Sequence, residues 1–252
     1  MTATMDSRVA RRADVCVLAL AEAFRGDGEI VANPIGTVPR LGGLLARATF
    51  EPDLVITDGL AFFVDLEGTV EGWNPYRRMF DVLWNGRRHV VMGASQLDQF
   101  GNQNLAFIGS DPQRPERQLI GFRGAAGNTI NHTTTYWVPN HSPRVLVPRV
   151  DVVCGIGYDR AAELGPTAAR FHELRRVVTN LAVLDFDTVD HRMRLVSVHP
   201  GVTVDDVVAA TGFELVVGDD VPETPVPDEV QLDVIDRFDP SGRRFDEARD
   251  RR

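Results

Sequence analysis

EIVANPIGTVPRLGGLLARATFEPDLVITDG, residues 29–59, is the stretch from which the architecture can be read. Glu29-Ile-Val-Ala reads as a short buried strand with an unbroken apolar core, as does Asp53-Leu-Val-Ile-Thr57, and between them Pro39 to Ala48 carries the spacing of a helix. Strands that do not alternate apolar and polar are buried on both faces, which is the habit of parallel strands under helices. A strand, a helix and a second strand ending in Asp58-Gly59 therefore form a βαβ unit, and a crossover of this kind favours a parallel or mixed sheet covered by helices.

The same rhythm extends in both directions. Upstream, residues 6 to 25 place Val9, Ala13, Cys16, Val17, Leu20 and Phe24 at helical spacing, with Asp6 or Ser7 as N-cap and Gly26 as the stop, and predict an amphipathic helix. Downstream, a helix is expected near Pro75 to Trp84 and a strand at His89 to Met92, with short strands around Leu105 to Ile108, Gln118 to Phe122 and Thr133 to Val138. Past Gly165 the pattern predicts a helix over Thr167 to Leu174, then extended runs at Val177 to Phe186 and Met193 to Val198 joined as a hairpin through 187–191. Thr203 caps a helix through Ala210 that stops at Gly212, and Phe213 to Val217 is a last strand. The expectation is an α/β fold in which a mostly parallel or mixed sheet is covered by helices, one domain over residues 1–218. An acidic, Pro-containing tail, 219–252, would pack on that domain or on a partner.

The chain has 252 residues, 43% hydrophobic and 25% charged, which is globular composition. The apolar run Val15 to Ala21 is far shorter than the roughly 20 residues of a membrane span, and no small-residue cleavage site follows it before Phe24-Arg25-Gly26-Asp27. With 36 acidic against 27 basic residues, net −9, a duplex-binding face is disfavoured, so neither nucleic acid nor membrane is expected as a partner. Two cysteines, Cys16 and Cys154, make no disulfide framework and suit thiols in a reducing cytoplasm. Every basic residue is Arg. The absence of Lys excludes a Schiff-base lysine and a GxxxxGK[ST] phosphate loop.

Two glycine-rich segments each follow an expected strand: Gly93-Ala-Ser-Gln-Leu-Asp-Gln-Phe-Gly-Asn-Gln-Asn104 and Gly121-Phe-Arg-Gly-Ala-Ala-Gly127. Ligands of open α/β sheets bind outside the carboxyl ends of strands, where glycine lets backbone approach closely and expose its amides. Neither segment has the GxGxxG dinucleotide pattern, so a nicotinamide cofactor is disfavoured. His132, His141 and the pair His172-Glu173 lack metal-ligand spacing, and no metal is expected. Ser95, Ser110 and Ser142 lie outside any Gly-x-Ser-x-Gly elbow. Phe62, Phe63, Trp73 and Tyr76 cluster after the second strand, as core packing or as the wall of an apolar site.

Taken together, GASQLDQFGNQN, GFRGAAG and PGVTVDDVVAATGFEL resemble the β subunit of heteromeric class I CoA-transferases, glutaconate CoA-transferase among them, over nearly the whole chain. The resemblance implies a NagB/RpiA/CoA-transferase-like fold, an α2β2 heterotetramer with an α-type subunit, and an acyl-CoA substrate in which coenzyme A is part of the thioester rather than a separate cofactor. Two residues depart from the pattern. In the transferases the second strand ends in Glu-Ser-Gly or Glu-Asn-Gly, whose Glu attacks the thioester; here the turn is Thr57-Asp58-Gly59, and Thr57 is a poor acyl acceptor without an adjacent base. Arg123 stands where the family's Gly-x-Gly-Gly-Ala loop has its second glycine.

This combination resembles the β subunit of a steroid-degrading offshoot of the family, hydrolases that open the last ring of cholesterol-derived CoA thioesters. The resemblance implies hydrolytic, retro-Claisen carbon–carbon cleavage, with the base supplied by the α subunit and the pocket shaped by this chain. Its expected lining is Thr57, Asp58, Gln96, Arg123, Gly124, Ala125, Trp73 and Tyr76, with no catalytic residue assigned here. The alternatives are a CoA-transferase subunit using a glutamate from elsewhere and a non-catalytic ligand-binding partner.

Overall fold

The computed structural model describes residues 10–59, 62–75, 78, 81 and 87–248. At its centre is the βαβ unit: β1 (Val31–Pro34), α2 (Thr37–Thr49) and β2 (Val55–Ile56), with β1 and β2 parallel. On the other side of β1 lie β5 (Arg88–Gly93), β10 (Thr133–Val138) and β11 (Glu173–Thr179), all parallel. The far edge changes sense, with β12 (Ala182–Asp185) antiparallel to both β11 and β13 (Arg194–Val198), and β14 (Val216–Val217) parallel to β13. The eight-stranded order is β14-β13-β12-β11-β10-β5-β1-β2. This is the mixed, helix-covered sheet expected from the sequence.

Two hydrophobic cores lie against the sheet. One joins α1 (Arg12–Glu22) and α2 to Ala32, Ile56, Val91 and Val178; the other gathers Val90, Met92, Tyr136, Val177 and Leu184 with the segment around α6 (Val204–Ala209). Between β9 and β11 the chain also forms α3 (Ala125–Asn131), α4 (Tyr158–Glu163) and α5 (Pro166–Ala169). Adjacent β5 residues, Val90 and Val91, serve opposite cores, as the alternation of side chains along a strand requires. Three small hairpins stand apart from the main sheet: β3 (Phe62–Val64) with β4 (Val70–Trp73), β6 (Gln96–Leu97) with β7 (Gln103–Asn104), and β8 (Phe107–Ile108) with β9 (Arg117–Gln118).

Several expectations are corrected. The first helix begins at Arg12 with Arg11 as N-cap, and the proposed caps Asp6 and Ser7 lie outside the described residues, as does most of the helix expected near Pro75 to Trp84. The helix is not amphipathic: every residue from Ala13 to Ala21 is buried, because α2, β11 and the C-terminal helices enclose it. Gly42 lets α2 come this close, since a Cβ there would sit 2.8 Å from Leu20 Cβ. Glu173 and Leu174 belong to β11, and the helix expected over Thr167 to Leu174 shrinks to α5, because cross-strand pairing with β10 overrides local propensity. Val177 to Phe186 is not one run but two strands that fold back at Asn180-Leu181.

From Asp219 onward the chain forms α7 (Glu229–Phe238) and α8 (Arg244–Glu247), which pack against α1 and α2. Asp228 and Gln231 make a reciprocal capping box at the start of α7. The fully buried Arg244 guanidinium ties the segment down, with Nε 2.7 Å from Asp14, Nη1 3.1 Å from Asp239 and Nη2 2.6 Å from Asp236. A buried cation is tolerated when carboxylates answer it in this way.

Candidate active site

The carboxyl ends of β1, β5 and β10 open onto a cavity of about 430 Å³. Ile35 follows β1, Met92 and Gly93 end β5, Trp137 and Pro139 end β10, and the glycine-rich loop adds Arg123, Gly124 and Ala125. Its rim is apolar and open to solvent, with Ile35 42% and Ile120 68% exposed. This is the place where open α/β sheets bind ligands.

Arg123 has φ +52°, in the left-handed region that glycine adopts without cost. A non-glycine residue held there is strained by about 1 kcal/mol, and such strain is concentrated at functional sites. The side chain is exposed and pairs with no carboxylate among the described residues. Gly124 is the N-cap of α3, and the Ala125 amide donates to Phe122 O at 3.2 Å, so that amide is used within the loop.

The Thr57-Asp58-Gly59 turn is closed by comparison. Thr57 is fully buried and is not among the residues lining the 430 Å³ cavity; its Oγ1 accepts from Asn33 Nδ2 at 2.9 Å and from the Gly59 amide at 3.2 Å. Gly59 has φ +85°, and a Cβ there would lie 2.9 Å from Pro34 O, so the turn requires glycine. Asp58 is directed away from Thr57, accepting the Phe62 amide at 3.1 Å, and it lines a second cavity of about 450 Å³ beside Arg40 and Gly59.

Behind Thr57 runs a polar chain that sequence reading missed. Arg88 Nη2 donates to Asn33 Oδ1 and Nη1 to Asn128 Oδ1 at 2.8 Å, all three residues being buried. His132 lies beyond, buried, with neither ring nitrogen hydrogen-bonded among the described residues, and burial and then the Arg88 charge push its pKa down to about 4. No sequence signal links Asn33, Arg88 and the Asn128–His132 pair, which come from three separate stretches of the chain.

Other expected lining residues are placed elsewhere. Gln96 is buried as scaffold, its Oε1 accepting from Asn104 Nδ2 at 2.7 Å and the Asp151 amide at 3.0 Å. Trp73, on the β3–β4 hairpin, is 70% exposed and is not among the residues lining the 430 Å³ cavity, and Tyr76 lies outside the described residues. Asp27, His89 and Thr135 have the spacing of a hydrolytic triad, with His89 Nδ1 2.6 Å from Asp27 and Nε2 2.9 Å from Thr135. They are wholly buried, so no substrate reaches them. Burial holds the His89 pKa below its usual value.

Comparison with known proteins agrees with this geometry. The coenzyme A transferase profile matches residues 80–210. The chain is 50% identical over 230 residues to the cholesterol ring-cleaving hydrolase IpdB subunit of Rhodococcus jostii (strain RHA1), covering 89% of this chain and 90% of that one. It is 29% identical over 247 residues to the second subunit of glutaconate CoA-transferase from Acidaminococcus fermentans, covering 87% and 89%. The crystal structure of Rhodococcus jostii RHA1 IpdAB superposes with a TM-score of 0.90 at 48% identity, covering 96% of this chain and 99% of that one. The chain belongs to the coenzyme A transferase family.

Proposed function

We propose that this chain is the β-type subunit of an acyl-CoA hydrolase that opens a steroid-derived ring by carbon–carbon cleavage, acting with an α-type subunit in an α2β2 assembly. The observation that carries the reading is the sealed Thr57 turn, which offers no nucleophile where the transferases need a glutamate. The 50% identity to a cholesterol ring-cleaving hydrolase subunit, against 29% to a glutaconate CoA-transferase subunit, supports the same choice.

In this reading water adds to a ring ketone β to the thioester carbonyl. The ring bond then breaks, its electron pair passing to the α-carbon as a thioester enolate that is afterwards protonated. The former ketone carbon becomes a carboxylate. A carboxylate of the α-type subunit acts as base, and the present chain supplies an apolar cavity with one cation, Arg123, at its mouth. A guanidinium there holds a substrate carboxylate through paired hydrogen bonds. The reaction needs no cofactor beyond the coenzyme A of the substrate, and no nucleic acid or membrane partner; its setting is the cytoplasm. No helix among the described residues is long and apolar enough to cross a membrane.

The test is turnover by the co-expressed complex of a ring-bearing β-keto acyl-CoA in ¹⁸O-labelled water. Label in the new carboxylate, with no acyl or CoA adduct on this chain by quenched-reaction mass spectrometry, is the expected result. A covalent adduct with CoA passing to an acceptor acid would make it a transferase. Ligand binding without turnover would make it a silent partner.

A further inference from the structure

Glu247, in the last turn of α8, lines the 430 Å³ cavity although it lies 110 residues from Trp137 and 210 from Thr37 in the chain. Its carboxylate collects three N–H donors from two elements, β10, whose Trp137 lines this cavity, and α2, which follows directly on Ile35 of the same lining and whose Thr37 lines the 450 Å³ cavity. Oε1 accepts the Trp137 indole Nε1–H at 2.7 Å, and Oε2 accepts the Thr37 and Val38 amides at 2.9 and 3.1 Å. Those amides open α2, whose first turn carries no acidic residue of its own and whose N-cap, Gly36, supplies no side chain. A carboxylate at the positive end of a helix, accepting its unpaired amides, is favourable without any cation.

Two consequences meet at the cavity. The indole at the end of β10 is tied to the carboxylate, and so is the start of α2, which Ile35-Gly36 join to β1; a Cβ on Gly36 would lie 3.0 Å from Glu247 Oε1, and Ile35 lines the same cavity as Trp137. The carboxylate is answered by these donors and makes no ion pair with Arg123, so the cation at the cavity mouth is left for substrate.

We infer that Glu247 is a positioning residue of the active site: the C-terminal segment completes the cavity by fixing Trp137 and the first turn of α2. The kinetic part of the test rests on the ring-opening reading above. In the co-expressed complex, Glu247→Ala should raise KM roughly tenfold while kcat stays within about threefold, since a loosened wall weakens ground-state and transition-state binding alike. Glu247→Gln, which keeps one acceptor oxygen, should fall between. Trp137→Phe should reproduce part of the KM effect, and the two substitutions together should be non-additive, because both break the same bond. Hydrogen exchange needs no activity: in Glu247→Ala it should rise over residues 35–41 and 92–95 and stay unchanged over the 187–191 turn. A fall in Tm with wild-type KM, kcat and exchange at the cavity would overturn the inference and leave Glu247 a tail anchor. Absence of turnover by the wild-type complex would instead sink the functional reading, and the exchange result would still decide the inference.

Discussion

The Thr57-Asp58-Gly59 turn follows β2, the Gly121–Ala125 loop borders the cavity at the ends of β1, β5 and β10, and the two are built in opposite ways. In the turn the polar groups are answered: Thr57 is fully buried, Asn33 and the Gly59 amide bond its hydroxyl, and Arg88 braces Asn33 from behind. In the loop a large cation sits exposed in a backbone conformation made for glycine, with no partner carboxylate among the described residues. A closed polar network rigidifies, whereas backbone strain of the kind Arg123 carries is concentrated at functional sites. In the proposed reading this chain offers no nucleophile at the strand end and contributes instead a cation on the loop.

Restoring the transferase residue is the severest challenge to that contrast. Thr57→Glu forces a carboxylate into a fully buried site already filled by two donors, and should cost more than about 3 kcal/mol in thermal unfolding without conferring CoA transfer. Efficient transfer by the variant would show that the turn is open after all.

Acid attacks the same turn from behind. The His132 pKa, about 4 in the fold, is depressed below the ordinary value of 6.5, so the native chain refuses a proton that the unfolded chain accepts. Stability is fully present above pH 6.5 and is lost as pH falls towards 4, by up to about 3 kcal/mol. His132→Gln should flatten the decline between those values; an unchanged slope would remove His132 from the account. Asp98, raised by burial to about 6, acts with the opposite sign, its contribution being lost as pH rises from 3.8 to 6.

On the loop side, Arg123→Ala should lower kcat/KM by one to two orders of magnitude, matching roughly 1.5–3 kcal/mol for a charge-assisted contact, and Lys should recover only part. An equal loss on a substrate analogue lacking the acyl carboxylate would show that Arg123 is structural. Arg123→Gly should lose the same activity while keeping or gaining stability, because glycine relieves the positive φ. The smallest effect is that of Thr57→Ala, about 1 kcal/mol from the unanswered Asn33 amide, with hydrolysis largely retained.

The contrast also marks how far the sequence could be read. The βαβ unit was legible because its apolar runs and turn residues are local, and the two glycine loops were placed at strand ends by the same logic. Arg123 was legible as a cation in a glycine position. Asn33, Arg88, Asn128 and Glu247 were not, because each acquires its role from a partner between 24 and 210 residues away. Side-chain direction was not legible either: Gln96, in a glycine-rich loop, turns into scaffold hydrogen bonds, and Trp73, from the aromatic cluster after the second strand, is 70% exposed. The α7 helix did leave a local sign, Asp228 three residues before Gln231 with Leu232, Ile235 and Phe238 following, obscured by the acidity around it.

The Arg244 clasp has a consequence for synthesis. Asp14 leaves the ribosome 230 residues before the guanidinium that neutralises it, an interval on the order of ten to fifty seconds at cellular elongation rates. Throughout that time α1 cannot be sealed into its site with the Asp14 carboxylate paired to its buried cation, and among the described residues only the Arg11 amide answers it. The amino-terminal third is therefore translated first and finished last, and a ribosome stalled anywhere before Arg244 releases a chain whose defect lies at the opposite end from the break.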